Sequence, residues 1–287
     1  MPSFMDNTPL PRLPVIELPP FLEWMKLKSF PLKTYPAVNQ PLRLQNDTLF
    51  IYGPGPRDTP TASFDVHCLQ VQVYFKFCGI NVDISNSNEP DASPSHQLPY
   101  LATVVGQVLA GKEIEQWNKA TPLGDQQDEA TAFISMIQSK LHSALLFSLW
   151  LEPLNYNQHT FKLYYDHIPA PINSIMGNRK KDQIVEDLLA NRDILSREEI
   201  YADAAQVLEA LSVKLGDHTY FFDKSEPTWM DAVVFSYLHV ILHIPAVTKP
   251  DVTTEEKKQA AALRNLVLQH KNLGRYAAHI RNQYLKQ

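Results

Sequence analysis

Between residues 225 and 244 the chain reads S-E-P-T-W-M-D-A-V-V-F-S-Y-L-H-V-I-L-H-I. Its apolar positions, Met230, Val233, Val234, Tyr237, Leu238, Ile241 and Leu242, recur at helical spacing. Trp229, Phe235 and Val240 fill much of the opposite side, and a helix apolar nearly all round is buried on most of its faces. Thr228 stands where a helix cap belongs, and Asp231, three residues on, can reach back to the free N–H of that cap. Asp231 and His239 interrupt the run, which is also too short to span a bilayer. The pattern predicts a central buried helix over 228–243 in an α-helical domain.

Elsewhere the period changes. Residues 48–52 read as a strand stopped by Gly53-Pro54-Gly55-Pro56. Over 63–79 two rules conflict. Leu69 to Phe77 alternates as a strand does, while Cys68, Leu69, Val73 and Phe77 also share one helical face with Gly79 as a stop. Local preference favours the strand. Residues 80–84 read as a half-buried strand, 86–96 as a polar loop, and 100–105 with 108–110 as a hairpin turning at Gly106-Gln107, before a helix over 111–118. After 121–124 the pattern is helical, with helices predicted at 126–151, 181–191, 197–215, 254–270 and 273–285. Residues 167–178, with three isoleucines, two prolines and a glycine, read as a linker. Strands before Ala120 and helices after it predict two domains, 47–121 and 122–287. A proline-rich arm, 1–46, precedes them. Within it, 21–30 has the pattern expected of a short amphipathic helix built on Phe21, Trp24, Met25 and Leu27. That helix suits packing on the chain's own body, or docking to a partner or a membrane surface.

Composition narrows the setting. With 44% apolar residues among 287, the chain can bury a substantial core. A net charge of −5 without a long basic run argues against nucleic acid as the partner. The first twenty residues are too polar and proline-rich for a signal peptide, and no segment reaches the roughly 18 apolar residues of a membrane helix. Cys68 and Cys78, if on one helix, lie ~15 Å apart, beyond disulfide reach. Unpaired cysteines predict a reducing compartment, the cytosolic side of the cell.

Three stretches together resemble the glutathione transferase architecture, a thioredoxin-like domain followed by an all-α domain. They are the strand–helix–strand unit over 48–84, L-P-Y-L at 98–101, and the T-x-x-D cap at Thr228 and Asp231. The resemblance implies a cis peptide before Pro99. Within that architecture the chain resembles the metaxins, including the fungal metaxin-like subunits of the mitochondrial outer-membrane sorting and assembly machinery. The carriers are C-L-Q-V-Q-V-Y-F-K-F-C-G-I-N-V at 68–82, N-S-N-E-P-D-A-S-P-S at 86–95, and H-S-A-L-L-F-S-L-W at 142–150. Further carriers are Y-F-F-D-K-S-E-P-T-W-M-D-A-V-V-F-S-Y-L at 220–238, and H-K-N-L at 270–273 with Tyr276. In this family the first of these is helical, so 63–77 is expected as a helix against its local alternation. A chain that stops at Gln287 with no membrane-spanning tail fits the metaxin-2-like branch.

A glutathione enzyme of this architecture needs a Ser, Cys or Tyr near the end of the first strand or the start of the first helix. Tyr52 and Ser63 are the candidates by position. It also needs an acid–serine pair opening the helix after the hairpin, and counting back from Ile114 that pair falls on Ala110 and Gly111, which supply neither group. His239 and His243 have a metal-like i, i+4 spacing with no third ligand evident, and read as structural histidines. Cys68 and Cys78 read as small buried hydrophobes. Arg179-Lys180-Lys181 is a short basic loop that suits solvent, acidic lipid or an acidic partner.

The resemblance therefore implies a non-enzymatic subunit without cofactor or metal, peripheral on the cytosolic face of the mitochondrial outer membrane. Its partners would be a barrel-forming core subunit, a second metaxin-like subunit and β-barrel precursors. The alternatives are a glutathione transferase-type thiol enzyme and a glutathione transferase-like interaction module of another cytosolic complex. With no membrane helix and net negative charge, protein contacts are expected to outweigh lipid in holding the chain at the membrane.

Overall fold

The computed structural model describes residues 44–117, 126–190, 192–246 and 252–286. Phe21, Trp24 and Met25, nearly all of the arm, and the boundary expected near residue 122 lie outside the described residues.

Four strands form one mixed sheet in the order β2-β1-β3-β4. β1 (Thr48–Ile51) lies parallel to β2 (Asp83–Asn86), with Leu49 opposite Ile84. It runs antiparallel to β3 (Tyr100–Ala102), with Leu49 opposite Leu101, and β3 pairs antiparallel with β4 (Val108–Ala110). The first helix, α1 (Val66–Phe77), connects β1 to β2, and the short α2 (Lys112–Trp117) follows β4. The segment whose alternation looked strand-like is thus helical. α1 is buried on two sides. Cys68 and Phe75 pack under the sheet, while Val66, Leu69, Val73 and Tyr74 pack into the larger core of the helical half. A helix with two apolar faces mimics the alternation of a strand. Asp65 caps it by accepting the Cys68 N–H at 3.0 Å, and Gly79, at φ +65°, ends it.

The second strand starts three residues later than expected. Ile80 donates its N–H to the Phe75 carbonyl at 2.9 Å, and Ile80 and Val82 pack on the sheet cluster. Their alternation therefore records the exit of α1, not the ladder.

The helical half begins with one rod, α3 (127–151), in which α-turns alternate with π-turns until Glu152 takes an extended backbone (φ −72°, ψ 114°). α4 (153–165) had no counterpart in the sequence reading. Where a linker was expected over 167–178, α5 (Ile172–Leu189) starts immediately after Pro171. Proline at the mouth of a helix is compatible with its first turn, and that compatibility hid the element. α6 (Arg197–Leu215) and α7 (Trp229–Leu242) fall where expected. The predicted helix over 254–270 is two, α8 (Thr254–Ala260) and α9 (Ala262–Gln269), broken at Ala261, and α10 (271–285) closes the fold.

α7 is the axis of this half. Every residue from Met230 to Ile241 is buried, and α1, α3, α9 and α10 pack around it. The fold is a thioredoxin-like sheet unit joined to an all-α unit, with α1 shared between their cores.

Candidate functional site

The sequence candidates Tyr52 and Ser63 lie beyond the end of β1, beside the end of β2, where the chain's own groups bond to one another. Asn88, in a left-handed conformation (φ 55°), accepts the Gly53 N–H at 2.9 Å and donates to the Gly53 carbonyl at 2.6 Å. The backbone groups at the exit of β1 are thereby consumed. The Leu98–Pro99 peptide is cis. Ser63 is fully buried, and its hydroxyl donates to the Tyr52 carbonyl at 2.6 Å while accepting the Asp65 N–H at 3.1 Å. Its own N–H is held by Gln72 Oε1 at 3.0 Å. Tyr52 packs edge-on to Tyr164 and beside Phe64, and burial, then the Asp65 charge, drive its phenol far above the ordinary range. Cys68 is buried as expected, whereas Cys78, at the end of α1, is exposed and not the buried hydrophobe expected. Desolvation followed by Asp65 raises the Cys68 thiol, the reverse of what a nucleophile needs. Ala110 closes β4, and Gly111 follows at φ +54°. The sequence singles out Ser63 and the 86–95 stretch, but not the side-chain bonds of Asn88, Ser63 and Gln72, because their partners are brought close only by the fold.

The seam between the halves explains the histidine pair. His239 is buried in α7, with its Nε2 3.5 Å from Thr59 Oγ1. His243 Nε2 and Arg281 Nη1 both lie 3.2 Å from Asp58 Oδ2 on the loop after β1. The rings of His239 and His243 are 4.1 Å apart. Burial first, then the neighbouring His243, push His239 down to about 3. Burial raises Asp58, but the His243 hydrogen bond and charge with Arg281 outweigh it and hold the carboxyl low. The two imidazoles thus latch the loop to α7, and no group of three potential metal ligands forms among the described residues.

At the start of α7 the Asp231 carboxylate is fully buried without a cation. One oxygen accepts the Thr228 N–H and hydroxyl, both at 2.8 Å. The other accepts the Phe221 N–H at 3.0 Å and the Tyr276 hydroxyl at 2.9 Å. Burial pushes its pKa up, against these four bonds. The network ties α7, the turn before it and α10 together. Phe222, in that turn, holds φ 60°, a left-handed value uncommon for an aromatic residue.

The basic triplet is helical, not a loop. Lys181 lies over the Tyr156 ring at 4.9 Å, and Lys180 donates to Gln183 at 3.2 Å. α5 buries Gly177, Ile184 and Leu188 as a narrow seam. At Gly177 a Cβ would approach the Tyr156 hydroxyl to 2.7 Å and Phe161 to 3.0 Å, so only glycine lets α5 lie this close to α4. Arg179 and Lys180 point outward with Ile175 and Met176. A shallow concavity of about 190 Å³ lies between the end of α6 and α10, lined by His218, Asn272, Arg275 and His279 among others, with no residue from the sheet unit. His218 lies 2.9 Å from Asp223, and Arg275 3.8 Å from Asp217.

Comparisons place these features. Residues 68–181 match the family described as outer mitochondrial membrane transport complex protein, and residues 204–280 match the glutathione S-transferase C-terminal domain. The chain is 31% identical to mouse metaxin-1 over 238 residues, covering 77% of this chain and 71% of that protein. It is 28% identical to mouse metaxin-2 over 186 residues, 61% and 69% of the two chains. The metaxin-2-like branch therefore gains no preference from these relatives. Among solved structures, a glutathione transferase from Phanerochaete chrysosporium aligns at TM-score 0.49 and 13% identity over 80% of this chain and 98% of that one.

Proposed function

The chain belongs to the metaxin family, and from that premise we propose that it is a non-enzymatic, peripheral subunit of the mitochondrial sorting and assembly machinery, helping to receive and insert β-barrel precursors. The coarser role is that of the matched family, a component of an outer mitochondrial membrane transport complex. The family relation over most of the chain is the observation that carries the reading.

The physical sense of the finer role is protection of strand edges. A β-barrel precursor exposes unpaired backbone and apolar faces until it closes. A rigid cytosolic subunit beside the barrel-forming core subunit and a second metaxin-like subunit can shield those strands without chemistry. The non-enzymatic part is supported by the strand ends, where Asn88 occupies the Gly53 backbone and the Ser63 hydroxyl is spent on Tyr52 and Asp65. No helix among the described residues is long and apolar enough to cross a membrane. Contacts with the neighbouring subunits then supply most of the hold, and the arm with Phe21, Trp24 and Met25 adds to it.

Affinity purification of the tagged full chain from detergent-solubilised mitochondria tests the reading. A barrel-forming outer-membrane protein should co-purify in near-equal amount, and removal of residues 1–46 should weaken that association. Calorimetry of the pure protein with glutathione should show no saturable heat. Absence of any barrel protein, or glutathione binding with turnover lost in Tyr52→Phe or Ser63→Ala, would refute it.

A further inference from the structure

The seam that fastens α5 to α4 decides which face of α5 looks outward. With Gly177, Ile184 and Leu188 turned inward, the positions opposite them in the first turns are 172, 175, 176 and 179, an i, i+3, i+4, i+7 stripe. They are Ile172, Ile175, Met176 and Arg179. Ile175 is 56% exposed and Met176 43%, with Ile172 half-buried at the edge. Pro169, Ala170 and Pro171, also exposed, lead into the stripe. From His167 to Lys181 the chain contains no Asp or Glu, and the first acid on α5 is Asp182. Arg179 and Lys180 have no acidic partner among the described residues.

We propose that this end of α5 seats on a phospholipid surface, with Ile172, Ile175 and Met176 entering the headgroup layer and Arg179 and Lys180 meeting lipid phosphates. The proposal rests on the membrane location read above, and adds the element that touches the bilayer. One observation selects lipid over protein as the occupant. The cations stand beside apolar side chains in an acid-free stretch, which complements an anionic surface with an apolar interior. A net charge of −5 repels anionic lipid in general, so orientation is required: only the first turns of α5, ahead of the exposed Asp182 and Glu186 on the same face, can approach. Counted alone, the basic triplet promised little. Mounted behind an apolar stripe and aimed by Gly177, it becomes an amphipathic contact.

The test is co-flotation of the purified full chain with vesicles of phosphatidylcholine, phosphatidylethanolamine and phosphatidylinositol at physiological salt. A minor but measurable fraction of the wild type should float, since subunit contacts supply most of the hold. Ile175→Asp with Met176→Asp should lower the bound fraction by about tenfold. Arg179→Gln with Lys180→Gln should lower it by about fivefold, and only on vesicles containing phosphatidylinositol. Val213→Asp, at a position 78% exposed on α6, should leave it unchanged. Equal melting temperatures establish that all four chains are folded. A wild type that stays at the bottom of the gradient overturns the proposal, as do α5 variants that float like Val213→Asp. Loss of a dimer in Ile175→Asp with Met176→Asp would assign the stripe to a second copy instead. Normal flotation of that variant with lost co-purification of the barrel protein would assign it to a subunit interface. If the wild type floats but never co-purifies with a barrel protein, the lipid stripe stands and the assembly role falls.

Discussion

Two helices of this protein open with proline and apolar residues, and their fates are opposite. At the start of α7, Pro227-Thr228-Trp229-Met230 leads into a run buried from Met230 to Ile241, and each oxygen of Asp231 accepts two hydrogen bonds. At the start of α5, Pro169-Ala170-Pro171-Ile172 leads into a helix with no side-chain cap, whose first-turn isoleucine and methionine face out. The difference lies in what the polar residues do. In α7 they are turned inward and fully partnered, so the helix start is a structural joint. In α5 they are turned outward beside apolar neighbours, so the helix start is free for contact. Hydrophobicity alone does not separate the two, whereas the destination of each donor and acceptor does.

The contrast breaks most sharply under substitution. Asp231→Ala strands the Phe221 N–H in the core and leaves the Tyr276 hydroxyl only the Asp231 carbonyl at 3.2 Å, and should cost about 2–4 kcal/mol in denaturant unfolding. Thr228→Ala, which removes only the cap hydroxyl, should cost about 1 kcal/mol. Ile175→Asp on the open helix should change stability by less than about 0.5 kcal/mol. Equal losses at Asp231 and Ile175 would erase the distinction.

Gly177→Ala probes the open helix from its closed side. A methyl pressed on Tyr156 and Phe161 should cost about 1–3 kcal/mol through overpacking. It should also tilt α5, so vesicle flotation falls although no outward residue has changed. Loss of stability with unchanged flotation would show that the seam does not aim the stripe.

A smaller effect separates the buried interior from the surface by pH. Burial pushes His239 down to about 3 and both His142 and His159 down to about 4, with second contributions from His243 at His239 and from His67 at His142. Each is neutral in the folded chain and takes a proton on unfolding below its ordinary pKa. Stability is therefore complete above the ordinary histidine range and falls as pH drops from about 6.5 toward 4, by at most ~1.4 kcal/mol per pH unit per histidine. Asp58, held low by His243 and Arg281, adds a loss in the same direction at more acid pH. Urea midpoints between pH 7 and 4.5 measure the slope, and His239→Gln should flatten it. An unchanged slope would place the proton uptake elsewhere.

How far the sequence was legible follows the same division. α7 and its Thr228–Asp231 pair were visible because helical period and cap chemistry are local. The sheet unit was harder: α1 imitates a strand, being buried on both the sheet and α7 sides, and only the family resemblance over residues 68–82 made it a helix. Glycine and proline misdirected the reading at 167–178, since Pro171 opens α5 and Gly177 sits inside it for close packing against α4. The Asn88 clamp on Gly53, 35 residues away, and the Asp58 latch to His243, 185 residues away, were illegible because the motifs that hold Asn88 and His243 do not say which distant residue each one meets. The basic triplet was named, but its helical phase relative to Ile172, Ile175 and Met176 emerges only once the buried seam is known.

The proposal is that this metaxin-family chain, with Ser63 and the Gly53 backbone engaged by its own groups, works by contact at the outer membrane. Import of labelled precursors into mitochondria depleted of the chain tests it most directly. Insertion of a β-barrel precursor should slow by about tenfold or more, while a single-helix outer-membrane precursor inserts at its normal rate. Adding back wild-type chain or Tyr52→Phe should restore the rate equally. Normal β-barrel insertion in the depleted mitochondria, or rescue by wild type but not by Tyr52→Phe, would contradict the account.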